Sequence, residues 1–298
     1  MKKDLLSILD ARDVIYELID DALHMKKNGF DEVLKKKTLA MIFEKSSTRT
    51  RVSFELAMQK LGGHAIFLGK NDIQLGRGET IEDTALVLSR YVDCIMYRAY
   101  LHENVVELAK HATVPVINGL DDQEHPCQVI ADLMTIKEFK GKLDGLHAVY
   151  FGDGDNNMAH SLLLGCPMVG MSIKIVSPKK YWPSSVYIQK AQEMGNVEIT
   201  EMEKNAAKDA DVVITDTWVS MGDEAEKEAR LKEFQDYTVN DVIMEQAKPD
   251  AIFLHCLPAY YGKEVTKEVA HGKQSVIFDE AENRMWAQMA ILKWLLKP

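Results

Sequence analysis

Three hydroxyls and two arginines crowd the stretch Ser47-Thr48-Arg49-Thr50-Arg51, which follows an apolar run at 39–43 and opens a helical pattern. A helix N-terminus presents unpaired backbone N–H groups and a partial positive charge. Ser and Thr add short donors, and a guanidinium offers a planar fork to phosphate oxygens. Those residue types in that order make an anion trap. A further arginine, Arg98, closes the apolar run Cys94-Ile95-Met96-Tyr97. His125-Pro126-Cys127-Gln128 begins a further helical pattern, with an imidazole able to donate to a carbonyl oxygen and an amide one turn on.

The second half carries a different chemistry. Phe151-Gly152-Asp153-Gly154-Asp155-Asn156-Asn157 has the start of a dinucleotide loop, but Asn157 stands where the third glycine belongs, so amides at a helix start suit a carboxylate or amino-acid ligand better. Asp216 ends an apolar run and is followed by Trp218, Ser220, Met221 and Gly222; a carboxylate there can hold an ammonium. The charged run at 223–233 has the character of a lid. His255-Cys256-Leu257-Pro258 places a thiol at a strand end before a proline-stiffened turn, and Arg284 opens the last helical pattern. Each has a plainer reading when taken alone. Arg98 and Arg284 are then surface arginines, His125 a helix cap and Cys256 a core cysteine.

The elements that must position these residues alternate. Apolar runs at 39–43, 65–68, 94–97 and 114–118 precede a long helical pattern at 126–140; runs at 146–151, 172–176, 197–200, 211–215, 251–255 and 275–278 follow it. Most are apolar on both faces, as buried parallel strands are, and amphipathic segments separate them. That rhythm predicts an α/β fold. Residues 2–37 read as one or two helices, 81–92 as an amphipathic helix and 282–296 as a strong one. In open α/β sheets ligands bind beyond the carboxyl ends of the strands, which is where the unusual polar residues concentrate.

The chain has 298 residues, near the size at which one core divides in two. Its formal net charge of −10 argues against coating nucleic acid, so an anionic ligand needs a local cationic pocket. No apolar run reaches the ~20 residues that span a bilayer, and the start reads as an acidic amphipathic stretch rather than a secretory signal. Cys94, Cys127, Cys166 and Cys256 have neither CxxC nor zinc spacing and read as reduced thiols. A cytoplasmic protein is expected. GxxxxGK[ST] and a full GxGxxG are both missing, which weighs against a nucleotide-binding regulator.

Together these segments, from Phe43 to Trp286, resemble the transcarbamoylase family. Ser47 to Arg51 is similar to its carbamoyl-phosphate signature, and His125 to Gln128 to its second element. Asp216 with Ser220-Met221-Gly222, and His255 to Pro258, resemble the branch that takes ornithine rather than aspartate. The resemblance implies two domains, each a parallel β-sheet flanked by helices. Residues 1–132 plus 281–298 would bind carbamoyl phosphate and 133–280 ornithine, with the last helix returning to the first domain. It implies transfer of the carbamoyl group to the δ-amine of L-ornithine, giving citrulline and phosphate, within arginine metabolism. The nearest rival keeps the chemistry and changes the acceptor to putrescine or acetylornithine. By motif, Ser47, Thr48, Arg49, Thr50, Gln74, Arg98, His125, Gln128, Cys256, Leu257 and Arg284 are expected at carbamoyl phosphate, and Asn157, Asp216, Ser220 and Met221 at ornithine. Arg49, Arg98, His125 and Cys256 are the expected catalytic residues. The resemblance implies no metal and no cofactor, and a trimer or a multiple of trimers. Gln74 belongs to a loop that in the family reaches a neighbouring subunit's site.

Overall fold

A computed structural model describes residues 2–75, 77–202, 204–219 and 226–297. The chain forms two compact units, Met1–Met134 with Glu282–Pro298, and Thr135–Ala281.

Unit 1 holds α1 (Ile15–Asn28), β1 (Thr38–Phe43), α2 (Thr48–Lys60), β2 (His64–Gly69), α3 (Ile81–Leu88), β3 (Cys94–Arg98), α4 (His102–His111), β4 (Val116–Leu120) and the start of α5 (Pro126–Lys140). Its four strands run parallel in the order β2-β1-β3-β4. Every residue of β3 is buried, and Ile42, Ile95, Tyr97 and Val116 pack with Val105 and Leu108 of α4. The segment before α1 is not helical throughout. Leu5 lies parallel to Ile117 of β4, and a short 3₁₀ turn, Ile8–Ala11, follows.

Unit 2 holds β5 (His147–Phe151), α6 (Asn157–Met168), β6 (Ser172–Val176), α7 (Ser185–Gln192), β7 (Val197–Thr200), β8 (Val212–Thr215), α8 (Lys227–Glu233), α9 (Asp241–Met244), β9 (Ile252–Leu254), α10 (Lys267–Ala270) and the first residues of α11 (Ile277–Leu296). Its strands are parallel in the order β7-β6-β5-β8-β9. Val149, Phe151, Val213 and Phe253 form its core with Phe234, Tyr237 and Trp218.

The apolar run at 275–278 is not a strand. Ser275 makes one bridge to Phe253, and Ile277 already begins α11. Asp279 and Glu280 lie in that helix's first turn, where carboxylates complement the helix dipole, so helix formation takes over the apolar residues just before them. The last helix accordingly starts at Ile277 rather than at 282, and the helix read at 81–92 stops at Leu88.

In each sheet the chain reverses its direction of winding once, between β1 and β3 in unit 1 and between β5 and β8 in unit 2. Loops leaving two such strands diverge and open a crevice beyond the strand ends. Ser47 and Arg98 follow or end the first pair; Asn157 and Asp216 follow the second.

Candidate functional site

In unit 1 the polar residues converge on the head of α2. Ser47 is its N-cap, with Oγ accepting from the Thr50 N–H at 3.3 Å. Thr48 and Arg49 are the first two helical residues. The buried Thr50 hydroxyl accepts from two guanidinium groups, Nη2 of Arg284 at 3.0 Å and Nη1 of Arg98 at 3.4 Å. Arg98 comes from the end of β3 and Arg284 from α11, so strand, helix head and C-terminal helix meet at one hydroxyl.

Nη1 of Arg284 also donates to Oε1 of Gln128 and lies 3.3 Å from Nε2 of His125. A guanidinium only donates, so His125 accepts at Nε2 and carries its proton on Nδ1. Burial holds His125 well below the usual imidazole range, and Arg284, Arg98 and Arg49 push it further down. The ring is therefore neutral at pH 7 and carries its N–H on Nδ1. Gln128 is fixed at both ends, because its Nε2 donates to Oδ1 of Asp132 at 2.8 Å, one turn along α5. Gln74 stands exposed in the loop after β2 and takes no part in this network.

In unit 2 the site residues lie after β5, β8 and β9. Asn156, not Asn157, caps α6: its Oδ1 accepts from the Ala159 N–H at 2.8 Å and its Nδ2 donates to the Tyr150 hydroxyl at 3.0 Å. Asn157 is the first helical residue. The two glycines before it meet local backbone requirements. A Cβ on Gly154 would lie 2.8 Å from the Tyr181 carbonyl oxygen, and Gly152 has φ of +127°.

Asp216 is buried, which raises its carboxyl above the ordinary range, while His255 and Cys256 pull it back. The Cys256 thiol donates to Oδ1 of Asp216 at 3.2 Å. Leu257 adopts φ of +59°, costly for a branched side chain, and its N–H donates to Nδ1 of His255 at 2.9 Å. Nε2 of His255 then faces Oε1 of Glu264 at 3.3 Å. Ligand atoms of Asp216, His255 and Cys256 lie within 4.8 Å of one another, but both ring nitrogens of His255 are engaged by protein groups, which leaves a carboxylate and a thiol for any other partner. Ser220 and Met221 lie outside the described residues.

Several contributing residues were not singled out from the sequence. Nη1 of Arg230, from α8, donates to Oδ2 of Asp153 at 2.6 Å and to the Trp218 carbonyl oxygen at 3.3 Å, and its guanidinium lies over the Tyr181 ring. It joins the loop before Asn157 to the loop after Asp216. Burial raises Asp153 to about 6 against the pull of Arg230. Lys45 is buried beside the Ser47 motif, over the Tyr100 ring, and burial together with Arg98 lowers its ammonium from its ordinary range. Its place before Ser46 and Ser47 was the signal. Asp132 had one too, four residues beyond Gln128 on the same helix face. For Arg230, 77 residues from Asp153, there was none.

Unit 1 thus gathers cationic and hydroxyl donors at the head of α2, and unit 2 places a buried carboxylate beyond β8. Residues 3–138 match the carbamoyl-P binding domain of aspartate/ornithine carbamoyltransferase, and residues 144–295 match its Asp/Orn binding domain. The chain belongs to the aspartate/ornithine carbamoyltransferase family. Among its relatives, ornithine carbamoyltransferase of Methanosarcina mazei is 52% identical over 303 residues, covering 100% of both chains. That of Oceanobacillus iheyensis is 54% identical over 304 residues, covering 99% of this chain and 94% of the other. The solved structure of ornithine carbamoyltransferase from Pyrococcus furiosus superposes with a TM-score of 0.93 at 50% identity, covering 99% of this chain and 97% of that one.

Proposed function

We propose that the chain transfers the carbamoyl group of carbamoyl phosphate to the δ-amine of L-ornithine, giving L-citrulline and phosphate. Full-length similarity to proteins of that name supports the reaction. The observation that carries the chemistry is the meeting of Arg98 and Arg284 on Thr50 at the head of α2, beside a neutral His125.

Unit 1 is the carbamoyl-phosphate domain in this reading. Ser47, Thr48, Arg49 and Thr50 hold the phosphate with the first-turn N–H groups of α2 and Arg98. Gln128 and the Nδ1–H of His125 hold the carbamoyl group, and Arg284 reaches the same ligand. As the tetrahedral centre forms, its oxyanion is stabilised by donors already in place, which costs no reorganisation. Arg49 stabilises the departing phosphate.

Unit 2 is the ornithine domain. Asp216 takes the α-ammonium, Asn157 the amino-acid head, and Ser220 and Met221 complete that side. The δ-amine must lose its proton to attack. With a pKa near that of Lys, ~10.4, this costs about 4.6 kcal/mol at pH 7. Cys256, hydrogen-bonded to Asp216, positions the amine, with Leu257 beside it. Holding two small substrates together supplies much of the rate, so carbamoyl phosphate binds first and ornithine second.

The protein acts in the cytoplasm, in arginine metabolism, as a trimer or multiple of trimers to which Gln74 contributes across a subunit boundary. Exposed Val52 and Leu56 of α2, Ile66 of the edge strand β2 and Tyr91 after α3 support an interface on unit 1. No helix among the described residues is long and apolar enough to cross a membrane.

Phosphate release from carbamoyl phosphate, measured with ornithine, N-acetylornithine and putrescine as acceptors, tests the reading. Turnover with ornithine alone is expected. Preference for putrescine would overturn the amino-acid clamp, and no turnover with any amine would overturn the reaction.

A further inference from the structure

Glu124 is one residue before His125 and almost wholly buried. Its two oxygens have separate donors, both from the far end of the chain. Oε1 accepts from the Ser7 hydroxyl at 2.7 Å and Oε2 from the Ile8 N–H at 2.8 Å. A buried carboxylate needs such donors, because removing an ion from water without them is costly. Here they come from a segment that is itself built into unit 1. The Leu5 N–H donates to the Val116 carbonyl oxygen at 2.9 Å, and the Asn118 N–H to that of Leu5 at 2.8 Å. Residues 4–6 thus lie along β4 as an added edge, and Asp4 accepts from the Val116 N–H at 2.7 Å.

The turn that follows is preset. Oδ2 of Asp10 accepts from the Leu6 and Ser7 N–H groups at 2.7 and 2.9 Å, and Ser7 Oγ accepts from Leu9 at 3.2 Å. That capping box aims the Ser7 hydroxyl and the Ile8 N–H outward as a pair. From the other side, buried Asp121 anchors the Glu124 backbone: its Oδ1 accepts from the Gln123 and Glu124 N–H groups, both at 2.8 Å, while its Oδ2 meets Nδ1 of His102 at 2.6 Å and Nδ2 of Asn118 at 2.7 Å. The loop that delivers His125 is therefore clamped through its backbone by Asp121 and through its side chain by the N-terminal strap.

We propose that Glu124 is a positioning residue for His125, and that residues 4–8 are the strap that sets it. The proposal rests on the role given to His125 above. Without the strap, the Glu124 carboxylate is left buried and unpaired; it must swing toward water, and the peptide that begins His125 turns with it. Carbamoyl binding and transfer suffer, while the ornithine side in unit 2 is untouched.

Full-length wild-type, Glu124→Ala, Glu124→Gln and Ser7→Ala proteins test this by steady-state kinetics and by amide hydrogen exchange over residues 121–128. Glu124→Ala is expected to lower kcat and raise the carbamoyl-phosphate KM, each about tenfold, with the ornithine KM within twofold and faster exchange across the loop. Glu124→Gln, which still accepts from Ile8, is expected to recover most of both. Ser7→Ala removes one of two donors and gives a several-fold effect, so it decides the matter if Glu124→Ala does not fold. Wild-type kinetics and exchange in Ser7→Ala and Glu124→Ala overturn the proposal, as does equal damage in the Gln and Ala variants. An inactive wild-type protein with variant-dependent exchange overturns the proposed reaction and leaves the strap standing.

Discussion

Arg284 donates through Nη1 to Oε1 of Gln128, across 156 residues of sequence. The contact fixes the amide's orientation. With Oε1 turned to Arg284, Nε2 must point the other way, and Asp132 receives it. A buried arginine and a buried aspartate are thereby connected through a neutral amide.

Asp132 is expected to matter through its hold on Gln128. Asp132→Ala frees Gln128 to rotate, and losing a buried polar partner costs about 1–3 kcal/mol. A rise of about tenfold to hundredfold in the carbamoyl-phosphate KM, with the ornithine KM unchanged, is the expected result. Steady-state kinetics with each substrate varied in turn checks it; equal shifts in both KM values contradict it.

Asp216 and Cys256 are separable. Asp216→Asn removes the charge proposed to face an α-ammonium, a charge-assisted bond of about 1.5–3 kcal/mol. The ornithine KM should rise about 10- to 100-fold with little change for carbamoyl phosphate. Cys256→Ser keeps a donor to Asp216, whereas Cys256→Ala loses it, so the serine variant should retain more of kcat. Indistinguishable rates in both variants and wild type would reduce Cys256 to packing.

Arg230 should act at a distance. Breaking a buried ion pair by removing one partner costs about 3–5 kcal/mol, and Asp153 and Arg230 are both largely buried. Arg230→Met should lower the thermal midpoint and raise the ornithine KM, because the loop before Asn157 and the loop after Asp216 lose their common tie. Adding Asp153→Asn removes the stranded charge and should restore part of the midpoint. No recovery in the double variant would show that the pair is not the cause.

His125 gives a pH dependence of stability. Its pKa is depressed in the folded state and near ~6.5 in an unfolded chain, so below that value the unfolded state binds the extra proton. Stability is present above pH ~6.5 and is lost as pH falls toward the folded value. Between pH 7 and 5.5, wild type should lose roughly 1 kcal/mol more than His125→Gln. Urea unfolding at the two values measures the difference, and parallel losses would contradict a neutral buried imidazole.

Much of the frame is legible in the sequence alone. Each of β1 to β9 lies where an apolar run predicted a strand, the edge strands β2 and β7 being the partly exposed ones, and Pro126–Lys140 is the helix that its pattern predicted. Ser47 at the α2 cap was legible for a local reason: a strand end, a hydroxyl and a helix start are adjacent in sequence, and local chemistry dictates their geometry. The run at 275–278 misled because four apolar or small residues do not distinguish a strand from a buried helix start. Acidic residues after it resolved the choice.

Local chemistry along the chain specifies the parts: parallel strands with polar ends, a capped helix head carrying hydroxyls and arginines, and a carboxylate beyond an apolar run. Which parts meet is settled by folding. Arg284 finds Thr50 across 234 residues, and Ser7 finds Glu124 across 117. Such pairings leave no periodicity in the chain, since they depend on the winding of the sheet and on where each helix docks. The protonation of His125 belongs to the same category. A histidine's charge is set by its burial and by the three arginines around it, and those neighbours exist only once the chain has folded.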